Sequence, residues 1–263
     1  MTGQALCTLT KHTEPVLALA FAPGQTANAG ELILASSSVD GTICLWSVTE
    51  SQGQVPRCLR QFSGHENEVI TLAFDPTGQT LVSGGMDGSV RIWDVARGVT
   101  RQRLTGHATA VSTVAISPDG STLATSSFDH TLRLWDLATG ECRFVQKENH
   151  VGPHTVAFSP DGEILAYGGD DFGIYLWRWR TNEAPTVLQG HIGLVRVLAF
   201  SPTAPLLVSC SMDYTLRLWD LETKQCRQVL RAPGPYAGMK ITGVTGISAV
   251  QKASLRSLGA VEE

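Results

Sequence analysis

Aspartate, histidine and serine are the side chains of a nucleophilic relay, in which a carboxylate orients an imidazole and the imidazole takes a proton from a hydroxyl. All three recur along this 263-residue chain, which has seven histidines. An aspartate stands six residues before a tryptophan five times, at Asp40/Trp46, Asp87/Trp93, Asp129/Trp135, Asp171/Trp177 and Asp213/Trp219. A reaction needs such a set once. Groups that return at fixed spacing serve the repeating unit, so no residue is read as catalytic and the chain is not read as an enzyme. Other chemistry is missing from the sequence. There is no phosphate loop, because the Gly243/Gly246 pair has neither the spacing nor the lysine. There is no GxSxG elbow, and His65-Glu66 lacks the second histidine of an HExxH zinc motif. The histidines are spread over different units, so neither a metal nor a cofactor is expected. Arg91, Arg133 and Arg217 each lie two residues before a tryptophan. They read as solvated strand positions or partners of nearby acids, not as a basic patch.

The elements that position these residues follow from the spacing. Successive tryptophans of the set are 47, 42, 42 and 42 residues apart, a period that signals a repeat architecture. The third unit parses most cleanly. Residues 111–117 are an apolar run, and Pro118-Asp119-Gly120 is a turn signal. Residues 122–127 form a second strand, 131–136 an alternating third and 142–145 a fourth, with Phe128-Asp129-His130 and Ala138-Thr139-Gly140 as turns. Four short strands joined by tight turns make a small antiparallel sheet. Such a sheet is buried on both faces only when neighbours stack on it. The expected fold is therefore all-β, a β-propeller of four-stranded antiparallel blades or a similar ring. The apolar stretch 16–22 returns at 69–74, 111–116, 155–158 and 195–200, so it is a repeated strand and not the core of a signal peptide.

These residues resemble the WD-repeat β-propeller family. The matching motifs are Gly64-His65 with Trp93-Asp94, Gly106-His107 with Trp135-Asp136 and Gly190-His191 with Trp219-Asp220. Two units are degenerate, Lys11-His12 with Trp46-Ser47 and Asn149-His150 with Trp177-Arg178. The resemblance covers roughly residues 1–230. It implies a buried hydrogen-bonded set in each blade, running from aspartate through histidine and a hydroxyl to tryptophan. Carried over, the sets are Asp40/His12/Ser36/Trp46, Asp87/His65/Ser83/Trp93, Asp129/His107/Thr125/Trp135 and Asp213/His191/Ser209/Trp219. In the fourth unit Tyr167 holds the hydroxyl position, so the set Asp171/His150/Trp177 departs from the pattern.

The blades are placed at residues 12–62, 63–104, 105–145, 146–188 and 189–230. Each runs from three inner strands, a, b and c, to an outer strand d. Residues 1–11 read as an outer strand with no a, b and c strands of its own, in an incomplete or shared blade. Three arrangements meet that count: a piece of a larger propeller, a self-contained ring of five, and a ring completed by another chain. Residues 25–30 and 50–55 are insertions in the first unit and read as surface loops. Trp179 is an extra aromatic, assigned either to the outer edge of its blade or to a contact surface. The segment 231–263 is a tail. Ala232-Pro233-Gly234-Pro235 is a linker, residues 239–247 alternate, and the capping-box pair Ser248/Gln251 opens a short helix over 249–258. The tail resembles the C-terminal tail of large bacterial WD-repeat proteins, many of them signalling ATPases with an NB-ARC or NACHT module.

With 17% charged residues and a net charge of −4, the chain lacks the electrostatic footprint of a nucleic-acid or anionic-membrane binder. No run of 18 apolar residues occurs. The six cysteines include no CxxC pair, and Cys7, Cys58, Cys142 and Cys226 fall at like places in different units. They are too far apart to pair, as suits a reducing cytoplasm. A protein or peptide partner is expected on the rim where the b–c turns meet the loops leading into strand a. The turn residues are Val39, Met86, Phe128, Asp170 and Met212, and the loop residues are Glu66, Asn67, Glu68, Thr109 and Leu194. Within the family resemblance the chain would be a scaffold or sensor of a bacterial signalling protein. The alternative is a small-ligand binder or enzyme using the central channel.

Overall fold

The computed structural model describes residues 7–23, 31–49, 56–147, 152–181, 183–231, 240, 242, 248 and 251–253. Among them, five four-stranded antiparallel sheets follow one another, each in the order a-b-c-d. Sheet 1 is β1 (Val16–Phe21), β2 (Glu31–Ser38), β3 (Thr42–Thr49) and β4 (Arg57–Ser63). Sheet 2 is β5 (Val69–Phe74), β6 (Thr80–Gly85), β7 (Val90–Asp94) and β8 (Val99–Leu104). Sheet 3 is β9 (Val111–Ile116), β10 (Thr122–Ser127), β11 (Thr131–Asp136) and β12 (Cys142–Lys147). Sheet 4 is β13 (Pro153–Phe158), β14 (Leu165–Gly169), β15 (Ile174–Trp177) and β16 (Thr186–Leu188). Sheet 5 is β17 (Val195–Phe200), β18 (Leu206–Ser211), β19 (Thr215–Asp220) and β20 (Gln225–Arg231). The a–b pairing slips by one residue near its start in every sheet. A bulge in every copy turns strand a in the same way.

The core lies between sheets. In the first junction Ala35, Ile43, Leu45 and Phe62 of sheet 1 meet Val69, Leu72, Leu81 and Trp93 of sheet 2. Val82, Val90, Ile92 and Leu104 meet Val111, Val114, Leu123 and Trp135 in the second. Ala166, Ile174, Leu176 and Leu188 meet Val195, Leu198, Leu207 and Trp219 in the fourth. The middle strands β6, β10 and β14 are buried at every position. This is the physical reason that b strands read as unbroken small and apolar runs: both faces are covered. The a strands stack in chain order, β1 on β5, β5 on β9, β9 on β13 and β13 on β17. Among the described residues no comparable packing joins β17 back to β1.

Several expectations meet the structure unevenly. Residues 1–6, the insertions 25–30 and 50–55, His150, and most of the tail lie outside the described residues. Cys7–Thr10 pairs with no sheet, although Leu9 packs on Leu34, Cys44 and Trp46. Of the expected tail helix, residues 251–253 are described as helical, and the capping box is formed. The Ser248 amide donates to Gln251 Oε1 at 2.8 Å, and the Gln251 amide donates to Ser248 Oγ at 3.2 Å. Cys58, Cys142 and Cys226 share one place, each opposite its blade's tryptophan. Cys7 does not, because it lies five residues before its histidine and Cys58 lies seven before its own. The arginines are half-buried and, among the described residues, form no ion pair with an acid. Arg91, Arg133 and Arg217 lie over their own blade's indole at 5.9, 5.9 and 6.0 Å, and their Nε atoms are buried without a partner.

Candidate functional site

Four of the five expected hydrogen-bonded sets are formed. In sheet 1, His12 Nδ1 lies 2.9 Å from Asp40 and Nε2 lies 2.8 Å from Ser36 Oγ, which accepts the Trp46 indole N–H at 2.8 Å. In sheet 2, His65 lies 3.2 Å from Asp87 and 2.7 Å from Ser83, which accepts from Trp93 at 2.8 Å. In sheet 3, His107 lies 3.1 Å from Asp129 and 2.7 Å from Thr125, which accepts from Trp135 at 2.9 Å. In sheet 5, His191 lies 2.8 Å from Asp213 and 2.6 Å from Ser209, which accepts from Trp219 at 2.8 Å.

One proton arrangement satisfies all partners. The imidazole donates from Nδ1 to the carboxylate, the hydroxyl donates to Nε2, and the hydroxyl oxygen accepts from the indole. Burial lowers the histidine pKa at His65 and His107, outweighing the carboxylates of Asp87 and Asp129. At Asp40 and Asp129 burial works against ionisation. Hydrogen bonds from Thr42 and His12 at Asp40, and from Thr131 and the Ala108 amide at Asp129, outweigh it and bring both carboxyls down to about 2. Asp213 is held well below the ordinary carboxylate range in the same way. The groups resemble a hydrolytic triad, but Ser36, Ser83, Thr125 and Ser209 are buried and already committed on both sides. No substrate carbonyl reaches them. The sets tie the lead-in loop, strand b, the b–c turn and strand c of a blade together.

The fourth blade is rebuilt. Asp171 accepts from the Tyr175 hydroxyl and the Gly173 amide, and Tyr175 stacks on Tyr167 at 4.9 Å. Gln146 donates to the Tyr167 hydroxyl at 3.0 Å. The expected Asp171/His150/Trp177 set is therefore replaced at Asp171, with His150 outside the described residues. A phenol at the hydroxyl position is too long to sit between an imidazole and an indole. Trp177 is half-buried and packs on Phe144 at 5.0 Å. Trp179 packs against Phe158 at 5.7 Å and donates to the Gly162 carbonyl at 2.9 Å, so it belongs to the edge of its blade.

The b–c turns and lead-in loops meet in every blade. The residue before each turn aspartate, or before Asp171 in blade 4, donates its amide to the loop before strand a. Val39 bonds Pro15 at 3.0 Å, Met86 bonds Glu68 at 2.9 Å, Phe128 bonds Ala110 at 3.1 Å, Asp170 bonds Gly152 at 3.3 Å and Met212 bonds Leu194 at 2.9 Å. Met86, Phe128, Met212, Glu66, Asn67 and Thr109 are exposed, and Val39, Glu68, Asp170 and Leu194 are half-buried. Neighbouring blades touch along this rim. Phe128 packs on His154 at 5.0 Å, and Asp170 lies 2.6 Å from His154 Nε2 and 3.6 Å from His130 Nδ1.

Sequence reasoning missed the residues just after the turn aspartates. That position has a left-handed backbone in every blade, with φ of 77° at Gly41, 72° at Gly88, 61° at His130, 68° at Phe172 and 63° at Tyr214. Glycine adopts such a φ without cost, whereas a bulky side chain strains it. Phe172 and Tyr214 hold it while 40% and 80% exposed, and Ile192, whose amide donates to Asp213, is 80% exposed. The available signal was an aromatic residue where two other blades have glycine. Among the described residues no cluster of histidine, cysteine, aspartate or glutamate could hold a metal, and no helix is long and apolar enough to cross a membrane.

Comparison with known proteins agrees with this geometry. The model of the IFT122 first beta-propeller matches residues 54–228, and that of the WD domain, G-beta repeat, matches residues 3–47. Periodic tryptophan protein 2 of Arabidopsis thaliana is 39% identical over 98 residues, 37% of this chain and 10% of that protein. WD repeat and SOCS box-containing protein 1 of Xenopus tropicalis is 39% identical over 94 residues, 36% of this chain and 20% of that protein. Pre-mRNA-processing factor 17 of Saccharomyces cerevisiae is 36% identical over 93 residues, 35% of this chain and 18% of that protein. The matched stretch thus spans a tenth to a fifth of these relatives. Five a-b-c-d sheets, four Asp-His-hydroxyl-Trp sets and a family match over two thirds of its length agree: the chain belongs to the WD-repeat β-propeller family.

Proposed function

We propose that the chain is a non-catalytic interaction platform that binds a protein or peptide partner on the rim of b–c turns and lead-in loops. One observation carries this reading: Phe172 and Tyr214 hold left-handed backbone conformations and present their rings to solvent. Backbone strain of this kind gathers at sites of recognition. Met86, Phe128, Met212 and Ile192 extend the same exposed rim, and large apolar side chains of this kind anchor protein contacts. The family supports a protein partner. The net charge of −4 favours it over nucleic acid or an anionic membrane surface. Six free cysteines suit a reducing cytoplasm. The finer assignment, a sensor of bacterial signalling-ATPase type, rests on the tail residues alone, and the relatives reported above are eukaryotic.

The test is capture of host proteins by the wild type and by a Met86/Phe128/Met212→Ser triple variant with an unchanged melting temperature. The variant is expected to lose the partners that the wild type retains. Equal capture by both would place recognition elsewhere.

A further inference from the structure

Every interior junction joins two different surfaces. One is the trailing flank of a sheet, built from its b and c strands and, at three of the four junctions, its d strand. The other is the leading flank of the next sheet, built around its a strand and tryptophan. Among the described residues no sheet packs on the trailing flank of sheet 5. Val208, Leu216, Leu218 and Leu230 hold the positions that Ala35, Ile43, Leu45 and Phe62 hold in sheet 1, by strand register. Leu230 is 52% exposed, whereas Phe62 is 1% exposed, and Leu216 is 42% exposed where Ile43 is 1%. The leading flank of sheet 1 is open along its a strand, while Leu34 and Trp46 are 9% and 4% exposed and lie against Leu9. Val16, Leu19, Leu34 and Trp46 hold the positions of Val69, Leu72, Leu81 and Trp93. Leu19 is 63% exposed, and Leu72 is 9% exposed. One chain therefore carries both halves of such an eight-residue cluster, exposed at Val208, Leu216 and Leu230 on one flank and at Val16 and Leu19 on the other.

We propose that a second copy of this chain covers these flanks, sheet 5 of one copy stacking on sheet 1 of the next. The occupant follows from continuity with the interior junctions: the surface that fits each open flank is the other open flank. Leu9 of the receiving copy lies on Leu34, Cys44 and Trp46. It stands three residues before His12, as Phe62 stands three before His65 and Leu104 three before His107. It thus fills the slot that an incoming Leu230 would take, and docking displaces it. The interface is heterologous, so association continues beyond a dimer unless the rotation closes.

Light scattering during size exclusion over a hundredfold range of concentration tests this. The wild type is expected to grow in mass with concentration. A leading-flank variant, Val16→Asp/Leu19→Asp, and a trailing-flank variant, Leu216→Asp/Leu230→Asp, are each expected to stay monomeric, because each retains one usable flank. All four positions are exposed, so circular dichroism should show both variants folded. Mixed in equal amounts, the two are expected to form a dimer and nothing larger. Leu9→Ser is expected to tighten wild-type association several-fold. A monomeric wild type at all concentrations would overturn the proposal. So would single-flank variants that still associate, a mixture that stays monomeric, or a Leu9→Ser variant that associates no better. Association with a different WD-repeat protein only would also assign the flanks to another occupant.

Discussion

At the scale of residues, two roles that look alike in sequence separate physically. The aspartates and histidines of the four sets are buried and satisfied, and their loss is a matter of stability. Asp129 accepts from His107, from Thr131 and from the Ala108 amide at 2.9 Å. Asp129→Ala strands buried donors and is expected to cost roughly 1–3 kcal/mol, measured by chemical denaturation. An unchanged unfolding midpoint would remove the set from the account of stability. Tyr214 behaves in the opposite way. Tyr214→Gly relieves a φ of 63° and removes an exposed ring. It is expected to leave stability unchanged or to raise it by about 1 kcal/mol, read as a higher melting temperature. A clear loss of stability would mean that the ring packs as part of the fold.

At the scale of elements, the strand pattern was legible because each unit repeats the same burial. The third unit's strands begin where the turn signals and alternation place them, and the tryptophan period locates all five sheets. The sets were legible for a different reason. Their spacing is fixed by strand length, so the family pattern transfers position by position. The fourth blade was not legible in full, because the outcome of replacing a serine by Tyr167 depends on two distant residues, Gln146 and Tyr175, that sequence order does not bring together. The arginines over the indoles were misread because strand alternation says which face a residue takes but not what fills that face. Small b-strand residues carry a further consequence. A methyl group on Gly84 would lie 2.6 Å from Val111 and 2.9 Å from Thr71. Gly84→Ala is therefore expected to wedge sheets 2 and 3 apart, at roughly 1–3 kcal/mol. Faster amide exchange in β6 and β9 than in β18 would be the local sign, and uniform exchange would contradict it.

At the scale of the whole molecule, stability is spread over repeated junctions and sets, and its pH dependence follows from their titration. His65 and His107 are held neutral by burial. As pH falls below about 6.5, the ordinary histidine value, the unfolded chain takes up protons first and stability declines. Asp40 and Asp129 titrate at about 2. Their contribution is complete above the ordinary carboxylate value of about 3.9 and is lost as pH falls through that value towards 2. Denaturation midpoints should therefore fall in two stages, one beginning near pH 6.5 and one below pH 4. A flat profile from pH 7 to pH 5 would contradict the first stage. The proposed recognition surface uses other residues of the same turns, the exposed Phe172 and Tyr214 that follow the turn aspartates. The most direct measurement of that separation is partner capture by a Phe172→Gly/Tyr214→Gly variant whose melting temperature equals or exceeds the wild type's. The account predicts a fully folded protein that no longer retains the wild type's partners; undiminished capture by that variant would contradict it.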